Sequence, residues 1–290
     1  MNKEREYIEL INDYLNKKIN TETYPQIIYE AMSYSINSGG KRLRSLLCLY
    51  AADGFGGEIE KVVPFAAAIE CIHAYSLVHD DLPCLDNDDL RRGKPTNHKV
   101  FGEAMALLAG DGLLNLSYEI MADACVNNFC RESVLAMREV AAFAGITGMI
   151  GGQVVDITSE YKAPDKGALL YIQKNKTAAL IKSAVAAGAI LSGATDSDVA
   201  KIKEAAECFG IAFQIKDDLL DIQSTTEVLG KHVGSDIKNA KLTHVSLYGI
   251  EQAEADYEEY SMKALSIIKE LALKADSLEK YMSSLVDRDF

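Results

Sequence analysis

Apolar residues recur at intervals of three and four along most of this chain. In one stretch they stand at Ala104, Leu107, Leu108, Leu113, Leu116 and Ile120. Such spacing places apolar side chains on one face of an α-helix. No long window shows the strict alternation that is typical of strands, and the chain has only 5 prolines. The pattern therefore predicts an all-α fold.

Clusters of glycine, proline and short polar residues divide this helical pattern into about ten segments. The interruptions fall at 37–40, 53–57, 87–100, 126–128, 161–167, 192–196 and 224–241. Thr195 and Asp196 are suitable caps for a helix that runs through Phe213 toward Leu220. No interruption has the composition of a flexible linker, so residues 1–290 are expected to form a single domain.

The balance of charge restricts the classes of partner. The chain has 43 acidic and 30 basic side chains, a formal net charge of -13, which would repel the phosphate backbone of a nucleic acid. Hydrophobic residues make up 48%, as in a globular protein with a sizeable core. The segment at 1–20 is charged and amphipathic, without the continuous apolar run of a signal peptide or membrane anchor. We therefore expect a cytoplasmic protein with no membrane anchor and no nucleic-acid partner.

Two clusters of aspartates lie far apart in the chain. The first, HDDLPCLDNDDLRR at 79–92, contains Asp80, Asp81, Asp86, Asp88 and Asp89. It follows an apolar run and is interrupted by Pro83, so it lies where a helix ends. Carboxylates there face the negative end of the helix dipole, an unfavourable arrangement that a bound cation would reverse. A solvated acidic surface is the alternative interpretation.

The second cluster, QIKDDLLD at 214–221, repeats this arrangement near the end of another apolar run. Asp217 and Asp221 are four residues apart and share one face of a helix. Asp80 and Asp86 are six apart, so the chain must bend at Pro83 for both to approach one ion. Two facing groups of carboxylates suit Mg²⁺ better than zinc, because waters and ligand phosphates can complete its octahedral shell. The recurrence of the pattern weakens the surface interpretation.

Basic residues accompany both clusters. The string GGKRLR at 39–44 places three cations directly after a flexible turn whose backbone amides are available to a phosphate. Arg91 and Arg92 follow the first cluster, and Lys176 and Lys231 lie on either side of the second. Each of these, taken singly, is explained as a surface cation. Groups of cations beside metal-binding carboxylates in an acidic protein instead favour a diphosphate ligand.

These strings resemble the short-chain trans-polyprenyl diphosphate synthases, and most of all the bacterial farnesyl diphosphate synthases. The resemblance extends over nearly the whole chain and is carried by GGKRLR, IHAYSLVHDDLPCLDNDDLRRGKPTNH, FGEAMALLAGD, GMIGGQVVDI, NKTAALI, FQIKDDLLDI and LGK. It implies an isoprenoid-synthase-type bundle of about ten or more helices around a central cavity. It also implies a homodimer and Mg²⁺ as the cofactor, with three ions bound beside the substrate.

The activity that the resemblance implies is the head-to-tail condensation of isopentenyl diphosphate with dimethylallyl or geranyl diphosphate. Farnesyl diphosphate and diphosphate would be the products, formed through a Mg²⁺-assisted carbocation. A geranyl or geranylgeranyl diphosphate synthase is the nearest alternative. A terpene cyclase, which binds no second diphosphate, would leave GGKRLR, His73 and Arg92 unexplained. A non-catalytic synthase subunit would not need both aspartate clusters.

The resemblance also assigns roles to individual residues. Mg²⁺ coordination falls to Asp80, Asp86 and Asp217, with support from Asp81 and Asp221. Isopentenyl diphosphate would be held by Lys41, Arg44, His73 and Arg92, and the allylic diphosphate by Arg91, Lys176 and Lys231. The residues near the reacting carbons, with oxygens that stabilise developing positive charge, would be Thr177 and Gln214.

The spacing of two residues in the apolar run before the first aspartate cluster supports a role in the site. His73 precedes Asp80 by seven residues and shares its helix face, whereas His79 is turned about 100° away and is expected to be structural. Tyr75 lies roughly 7 Å deeper than Asp80, where its ring would stop the product at about three isoprene units. The role of Tyr75 in chain length also follows from the resemblance. For both His73 and Tyr75, packing in the core is the alternative.

Three parts of the chain differ from the family pattern. Ser45 replaces a proline after GGKRLR, Ala178 replaces a glycine after Thr177, and the segment at 243–245 replaces Thr-Tyr-Pro. None of them is a proposed ligand. The last difference leaves open whether Lys241 closes over the site. Closure of the loop at 224–241 is our hypothesis for how water is excluded.

Overall fold

The computed structural model describes residues 2–20, 22–163, 165–223 and 241–286, which are helical almost throughout. The helices are α1 (Asn2–Lys18), α2 (Gln26–Ile36), α3 (Leu43–Phe55), α4 (Ile59–Asp80), α5 (Asn97–Phe101), α6 (Glu103–Asn127), α7 (Arg131–Ala144), α8 (Met149–Ser159), α9 (Lys166–Ile172), α10 (Ala178–Leu191), α11 (Asp196–Gln223), α12 (His244–Tyr248), α13 (Ile250–Lys269) and α14 (Ser277–Val286). A π-helical turn, Gln173–Thr177, joins α9 to α10. The two-residue strands β1 (Leu90–Arg91) and β2 (Lys94–Pro95) pair antiparallel, with Leu90 opposite Pro95. The prediction of an all-α bundle is confirmed.

Two apolar helices, α4 and α10, are buried along most of their length. α4 packs against α3 and α6, and α10 packs against α3, α7 and α11. Small residues allow these close approaches, since a Cβ at Gly188 of α10 would lie 2.1 Å from the carbonyl oxygen of Cys48 in α3. Each buried leucine or isoleucine in this core contributes about 1.5–3 kcal/mol relative to an exposed one. This core holds the end of α4, where the first aspartate cluster begins.

Within the described residues, two helical segments, α4 and Arg131–Ser159, are long and apolar enough to cross a membrane. In α4, 72% of the most apolar window is buried inside the fold, as in the core helix of a globular protein. The other segment comprises α7 and α8, which are separated by a turn at 145–148, and only 33% of its window is buried. The apolar face that α7 and α8 expose is a surface of the kind that marks interaction sites.

Several predicted boundaries are present in the structure. The Asp198 amide donates to Thr195 Oγ1 at 3.2 Å, so Thr195 caps α11 as predicted. The interruption at 87–100 contains the β1–β2 turn and most of α5, which periodicity does not reveal because both are short. The turn at 145–148 is not predicted. The interruption at 224–241 lies outside the described residues except for Lys241.

Candidate active site

A cavity of ≈ 920 Å³ opens between the end of α4, the basic segment (residues 39–44), the π-helical turn and α11. The predicted site residues that line it are Lys41, Arg44, His73, Asp80, Asp86, Arg91, Arg92, Lys176, Thr177, Gln214 and Asp217. The fold therefore brings both aspartate clusters and most of the predicted cations to one site.

Three predicted residues do not line the cavity, and a fourth lies outside the described residues. Asp81, Tyr75 and Asp221 are buried and are not among the described residues that line the cavity. Tyr75 packs edge-on against His79 with 5.7 Å between ring centroids, and burial raises the pKa of Tyr75 to about 12. Lys231 lies outside the described residues. The roles of these four residues, like those of the residues that line the cavity, stay predictions.

The first aspartate cluster forms where α4 ends. The Asp86 amide donates to the Asp80 carbonyl at 2.8 Å, which closes a turn around Pro83 and brings both side chains to the cavity. The bend that the spacing required is therefore present. Burial raises the pKa of Asp80, the Lys176 ammonium opposes this shift, and the Asp86 carboxylate adds to it. A further cation would stabilise Asp80 as an anion.

Asp81, the next residue, contacts a cation of the cavity wall. Arg91 Nε donates to Asp81 Oδ1 at 3.0 Å, Arg91 Nη2 donates to the same oxygen, and Asp88 Oδ2 accepts from Nη2 at 3.3 Å. Burial raises the pKa of Asp81 to about 6 in spite of this ion pair. The contact fixes the Arg91 guanidinium at the cavity, so Asp81 supports the site through Arg91.

Two ammonium groups lie against the carboxylates of the cavity. Lys176 Nζ is 2.6 Å from Asp156 Oδ2 and 3.8 Å from Asp80 Oδ2. Burial lowers the pKa of Lys176, but Asp80 and Asp156 together raise it above its ordinary value. Lys241 Nζ is 2.7 Å from Asp86 Oδ2, and both side chains are largely buried. Lys241 therefore closes over the first cluster, a point that the sequence left open.

The basic segment forms one wall of the cavity. Gly39 and Gly40 have φ angles of 96° and 116°, which glycine adopts readily and which turn the chain so that Lys41 and Arg44 reach the cavity. Arg92 Nη1 donates to the Gly39 carbonyl, and a Cβ at Gly40 would lie 2.5 Å from Arg92 Cζ. Glycine at position 40 thus leaves the space that the Arg92 guanidinium occupies.

His73 lies on the same wall, where its Nε2 is 3.4 Å from Arg44 Nη1. Burial lowers the pKa of His73 far below its ordinary value, and the nearby guanidinium groups of Arg44 and Arg92 lower it further. A neutral imidazole accepts a hydrogen bond on one nitrogen and donates from the other. His73 therefore adds no charge to this wall, but it can orient a neighbouring side chain or a phosphate oxygen.

The π-helical turn forms another wall and presents Lys176 and Thr177 to the cavity. A Cβ at Gly152 of α8 would lie 2.1 Å from the Lys176 amide nitrogen, so glycine there allows α8 to pack directly on the turn. Thr177 Oγ1 donates to Gln214 Oε1 at 2.7 Å, and Gln214 Nε2 donates to Asp218 Oδ1 at 2.9 Å. These hydrogen bonds connect the turn to the second aspartate cluster.

Two polar residues of α8 support the site, although the sequence did not single them out. Gln153 donates to Asp80, and Asp156 accepts from Lys176 at 2.6 Å. They are three residues apart and so are neighbours on one face of the helix. The sequence signal for Gln153 and Asp156 is a pair of polar residues on one face of a mostly apolar helix.

His244 is buried and joins three elements at the second aspartate cluster. Its amide donates to Asp218 Oδ2 at 2.7 Å. Its Nδ1 is 3.1 Å from Gln173 Nε2 of the π-helical turn, and its Nε2 is 2.7 Å from Asp256 Oδ2 of α13. No local pattern reveals this arrangement, because His244 is 71 residues from Gln173 in the chain.

Ala178, which stands where the family pattern has a glycine, is accommodated by a glycine on the neighbouring helix. A Cβ at Gly210 of α11 would lie 2.5 Å from the Cβ of Ala178. The methyl group of Ala178 thus occupies space that a side chain at position 210 would need. This difference from the family pattern therefore leaves the packing of α10 on α11 undisturbed.

Asp80, Asp86 and Asp217 bring carboxylate oxygens to the cavity from two different elements. Within the described part of the chain, no three His, Cys, Asp or Glu side chains are already arranged around a common metal position. Mg²⁺ is commonly bound through one or two carboxylates, with waters and ligand phosphates completing its shell, whereas zinc needs about three or four protein ligands in place. A donor set made of carboxylate oxygens alone fits Mg²⁺, which the protein and a phosphate ligand would hold together.

Residues 25–283 match the family model for Polyprenyl synthetase. The chain belongs to the polyprenyl synthetase family. The farnesyl diphosphate synthase of Bacillus subtilis (strain 168) is 42% identical over 266 residues, which cover 91% of this chain and 90% of that enzyme. The geranylgeranyl diphosphate synthase of Cyanophora paradoxa is 44% identical over 246 residues, which cover 84% of this chain and 82% of that enzyme.

Solved structures of the polyprenyl synthetase type share the fold as well. A geranyltransferase from Helicobacter pylori, whose crystal structure is a complex with magnesium and isoprenyl diphosphate, has a TM-score of 0.84 to this chain. The two are 29% identical, with 97% of this chain and 95% of that chain covered. As a polyprenyl synthetase, this protein is a prenyltransferase of isoprenoid synthesis. The family, fold and prenyltransferase activity predicted from the sequence are confirmed.

Proposed function

We propose that this polyprenyl synthetase is a Mg²⁺-dependent enzyme that condenses isopentenyl diphosphate with dimethylallyl or geranyl diphosphate to form farnesyl diphosphate. The observation that carries the proposal is a single cavity in which both aspartate clusters meet two separate groups of cations. Two diphosphates need two such groups, because each brings several anionic oxygens that charge-assisted hydrogen bonds must satisfy.

Isopentenyl diphosphate would bind on the wall that is formed by Lys41, Arg44, His73 and Arg92. Nε of Arg44 is buried and has no hydrogen-bond partner among the described residues. A phosphate oxygen would satisfy this donor, whose burial without a partner otherwise costs free energy. The wall lies beside the first aspartate cluster without containing a proposed metal ligand, which suits a diphosphate that is not the leaving group.

The allylic diphosphate would bind to Arg91, Lys176 and Lys231, next to the proposed Mg²⁺ ligands. Arg91 and Lys176 support this placement because Arg91 is fixed by Asp81 and Lys176 lies 3.8 Å from Asp80. The assignment of Lys231 rests on the resemblance alone. Bound Mg²⁺ would supply Lewis-acid stabilisation of the leaving diphosphate.

Thr177 and Gln214 would face the positive charge that develops when the allylic diphosphate leaves, a role that their position on the cavity wall supports. Because the Thr177 hydroxyl donates its proton to Gln214, its lone pairs remain available to that charge. The isopentenyl double bond then attacks the allylic carbon, and the released diphosphate takes the proton that is lost. The enzyme holds both substrates in orientation and needs no nucleophilic side chain.

A terpene cyclase and a non-catalytic synthase subunit are the alternatives. The test is the release of diphosphate by the purified protein with Mg²⁺ and each substrate alone, and then with both. We expect release only when both substrates are present. Release from the allylic diphosphate alone would indicate a cyclase, and no release from any mixture would indicate a non-catalytic subunit.

We propose that Tyr75 limits the product to the farnesyl length. Its ring is buried on α4 against His79, and His79 Nε2 lies 3.0 Å from the Leu107 carbonyl of α6. The ring is thus held near the contact of α4 with α6, where a tail extending from Asp80 along α4 would meet it. Geranylgeranyl diphosphate is the second candidate product, because the Cyanophora relative is named as a synthase of that compound.

We also propose that the protein is a homodimer that buries the exposed face of α7 and α8. The apolar side chains of this face with large exposure are Val134, Ile146, Ile150, Val154 and Ile157. A patch of this kind on a globular protein is typical of an interface, and a twofold dimer would bury it against its own copy. The single domain at 1–290, the cytoplasmic location and the lack of a membrane anchor stay predictions.

A further inference from the structure

The three cations of the basic segment do not point the same way. Lys41 is exposed and Arg44 is half-buried, and both residues line the cavity. Arg42 also borders the cavity, but its side chain is only 6% exposed and its guanidinium is turned toward partners in the fold. Its guanidinium donates from Nε to Asn12 Oδ1 at 3.1 Å, from Nη1 to Glu70 Oε1 at 3.0 Å and from Nη2 to the Ile36 carbonyl at 2.7 Å. Each of its three nitrogens therefore already has a protein partner.

The backbone of Arg42 has an uncommon conformation. Its φ angle is +50°, in the left-handed region that residues other than glycine seldom adopt. Such a conformation persists where the surrounding structure fixes it. The contacts of the guanidinium with α1, the end of α2 and α4 provide this constraint. Because Arg42 stands between Lys41 and Arg44, its conformation sets the direction of both.

Glu70 is the buried partner of Arg42. Its side chain is 4% exposed, and its Oε2 lies 2.9 Å from Ser45 Oγ, which is also 2.9 Å from the Ala66 carbonyl. A carboxylate removed from water needs such partners. Ser45, where the family pattern has a proline, is therefore part of the same network. A proline at position 45 would have no hydroxyl to contact Glu70, so this part of the network depends on the serine of this chain.

We propose that Arg42 and Glu70 are positioning residues of the isopentenyl diphosphate subsite, and that Ser45 supports them. Their buried ion pair holds the basic segment in the conformation that presents Lys41 and Arg44 to the diphosphate. Donors that are already ordered bind more tightly, because less conformational entropy is lost on binding. The inference rests on the proposed function, since it takes Lys41 and Arg44 to be diphosphate ligands.

A purely electrostatic effect of the same residues leads to a different expectation. If Arg42 acted only through its charge, removal of that charge would weaken diphosphate binding, and removal of the Glu70 charge would strengthen it. If the pair instead fixes the basic segment, removal of either partner weakens binding. The sign of the effect at Glu70 therefore separates the two explanations.

The test measures KM for both substrates in Arg42→Gln, Glu70→Gln and Ser45→Ala, with Arg44→Gln for comparison. We expect Arg42→Gln and Glu70→Gln each to raise the KM for isopentenyl diphosphate about 10-fold, and Ser45→Ala about 3-fold. The allylic KM should stay within about 2-fold, and kcat at saturating isopentenyl diphosphate should change less than KM. Breaking a buried ion pair is destabilising, so circular dichroism is used to check that each variant is folded.

A lowered isopentenyl KM in Glu70→Gln, or an unchanged one in folded Arg42→Gln, would overturn the proposal. Ser45→Ala keeps the ion pair and serves as the test if the other two variants do not fold. An unchanged isopentenyl KM in Ser45→Ala would then overturn the proposal. Arg44→Gln separates this result from a failure of the proposed function. If Arg44→Gln leaves the isopentenyl KM unchanged, the subsite itself is wrongly assigned. If Arg44→Gln raises it while Arg42→Gln and Glu70→Gln shift it in opposite directions, only the positioning role is wrong.

Discussion

Single residues of the same type have different functions here according to the direction of their side chains. In the first aspartate cluster, Asp80 lines the cavity, whereas Asp89 is exposed and lies 2.7 Å from Lys99 Nζ. Among the cations of the basic segment that border the cavity, Lys41 is exposed, whereas the Arg42 side chain is buried. The position of a charge on its helix or turn therefore decides its contribution to binding.

The proposed metal ligands lead to the first prediction. Asp80→Asn and Asp217→Asn remove a charge with little change of shape, and we expect each to lower kcat at least ~100-fold, as loss of one strong electrostatic stabiliser does. The measurement is steady-state turnover at saturating substrates and Mg²⁺. Asp89→Asn is the matched control from the same cluster, and its kcat should stay within about 2-fold because its ion pair is exposed. Equal losses in all three variants would contradict the assignment.

Gly40 provides a test of the position of Arg92. In Gly40→Ala the new Cβ would lie 2.5 Å from the Arg92 guanidinium, which must move away. Gly39→Ala is the matched control, since Gly39 also has a positive φ but has no atom within 4 Å of its Cβ position. We expect both variants to lose similar thermal stability, and Gly40→Ala alone to raise the isopentenyl KM about 10-fold, the scale of one charge-assisted hydrogen bond. The same KM in both variants would show that Arg92 is not a ligand.

Among the elements of the fold, α4 has two functions along its length. The end of α4 presents Asp80 to the cavity. The preceding turns of α4, which include the buried Tyr75, belong to the part of the helix that packs in the core, and α4 packs there against α6. The π-helical turn has a comparable arrangement, because it presents Lys176, a proposed ligand of the allylic diphosphate, while α8 packs on its backbone at Gly152. Each wall of the cavity is thus one surface of a helix or turn whose opposite surface belongs to the core.

The position of Tyr75 on α4 leads to a prediction about product length. Tyr75→Ala removes the ring beside His79, and we expect products of about four or more isoprene units, because the tail can extend about one helical turn deeper. Mass spectrometry of the dephosphorylated products gives the distribution. Tyr75→Phe keeps the ring and should keep the wild-type products. An active Tyr75→Ala enzyme with an unchanged distribution would exclude Tyr75 as the stop.

The exposed face of α7 and α8 leads to a prediction about assembly. Val154 of α8 is 53% exposed in the single chain. If the face is buried in a homodimer, Val154→Lys places a charge in the interface and should shift the protein from twice the chain mass to the chain mass in light scattering. Met262→Lys on α13, where Met262 is 65% exposed, is the control and should remain dimeric. A monomeric wild type would contradict the proposed assembly.

Across the whole molecule, the features that could be predicted from the sequence are those with a local pattern. The helical period gave the fold class, and the clustered charges located Asp80, Asp217 and Lys41. The inward direction of Arg42 could not be predicted, because it depends on Glu70, which is 28 residues away in the chain. The same is true of His244, whose contact with the second aspartate cluster spans 26 residues. Such contacts exist only when helices distant in sequence pack together.

The central claim is that one cavity holds two diphosphates on separate walls. The most direct test measures KM for both substrates in Lys41→Gln and Lys176→Gln at saturating Mg²⁺. We predict that Lys41→Gln raises the isopentenyl KM about 10- to 150-fold, the equivalent of roughly 1.5–3 kcal/mol for a hydrogen bond to a charged group, with the allylic KM within about 2-fold. Lys176→Gln should have the reverse effect. Equal increases of both KM values in either variant would contradict the account.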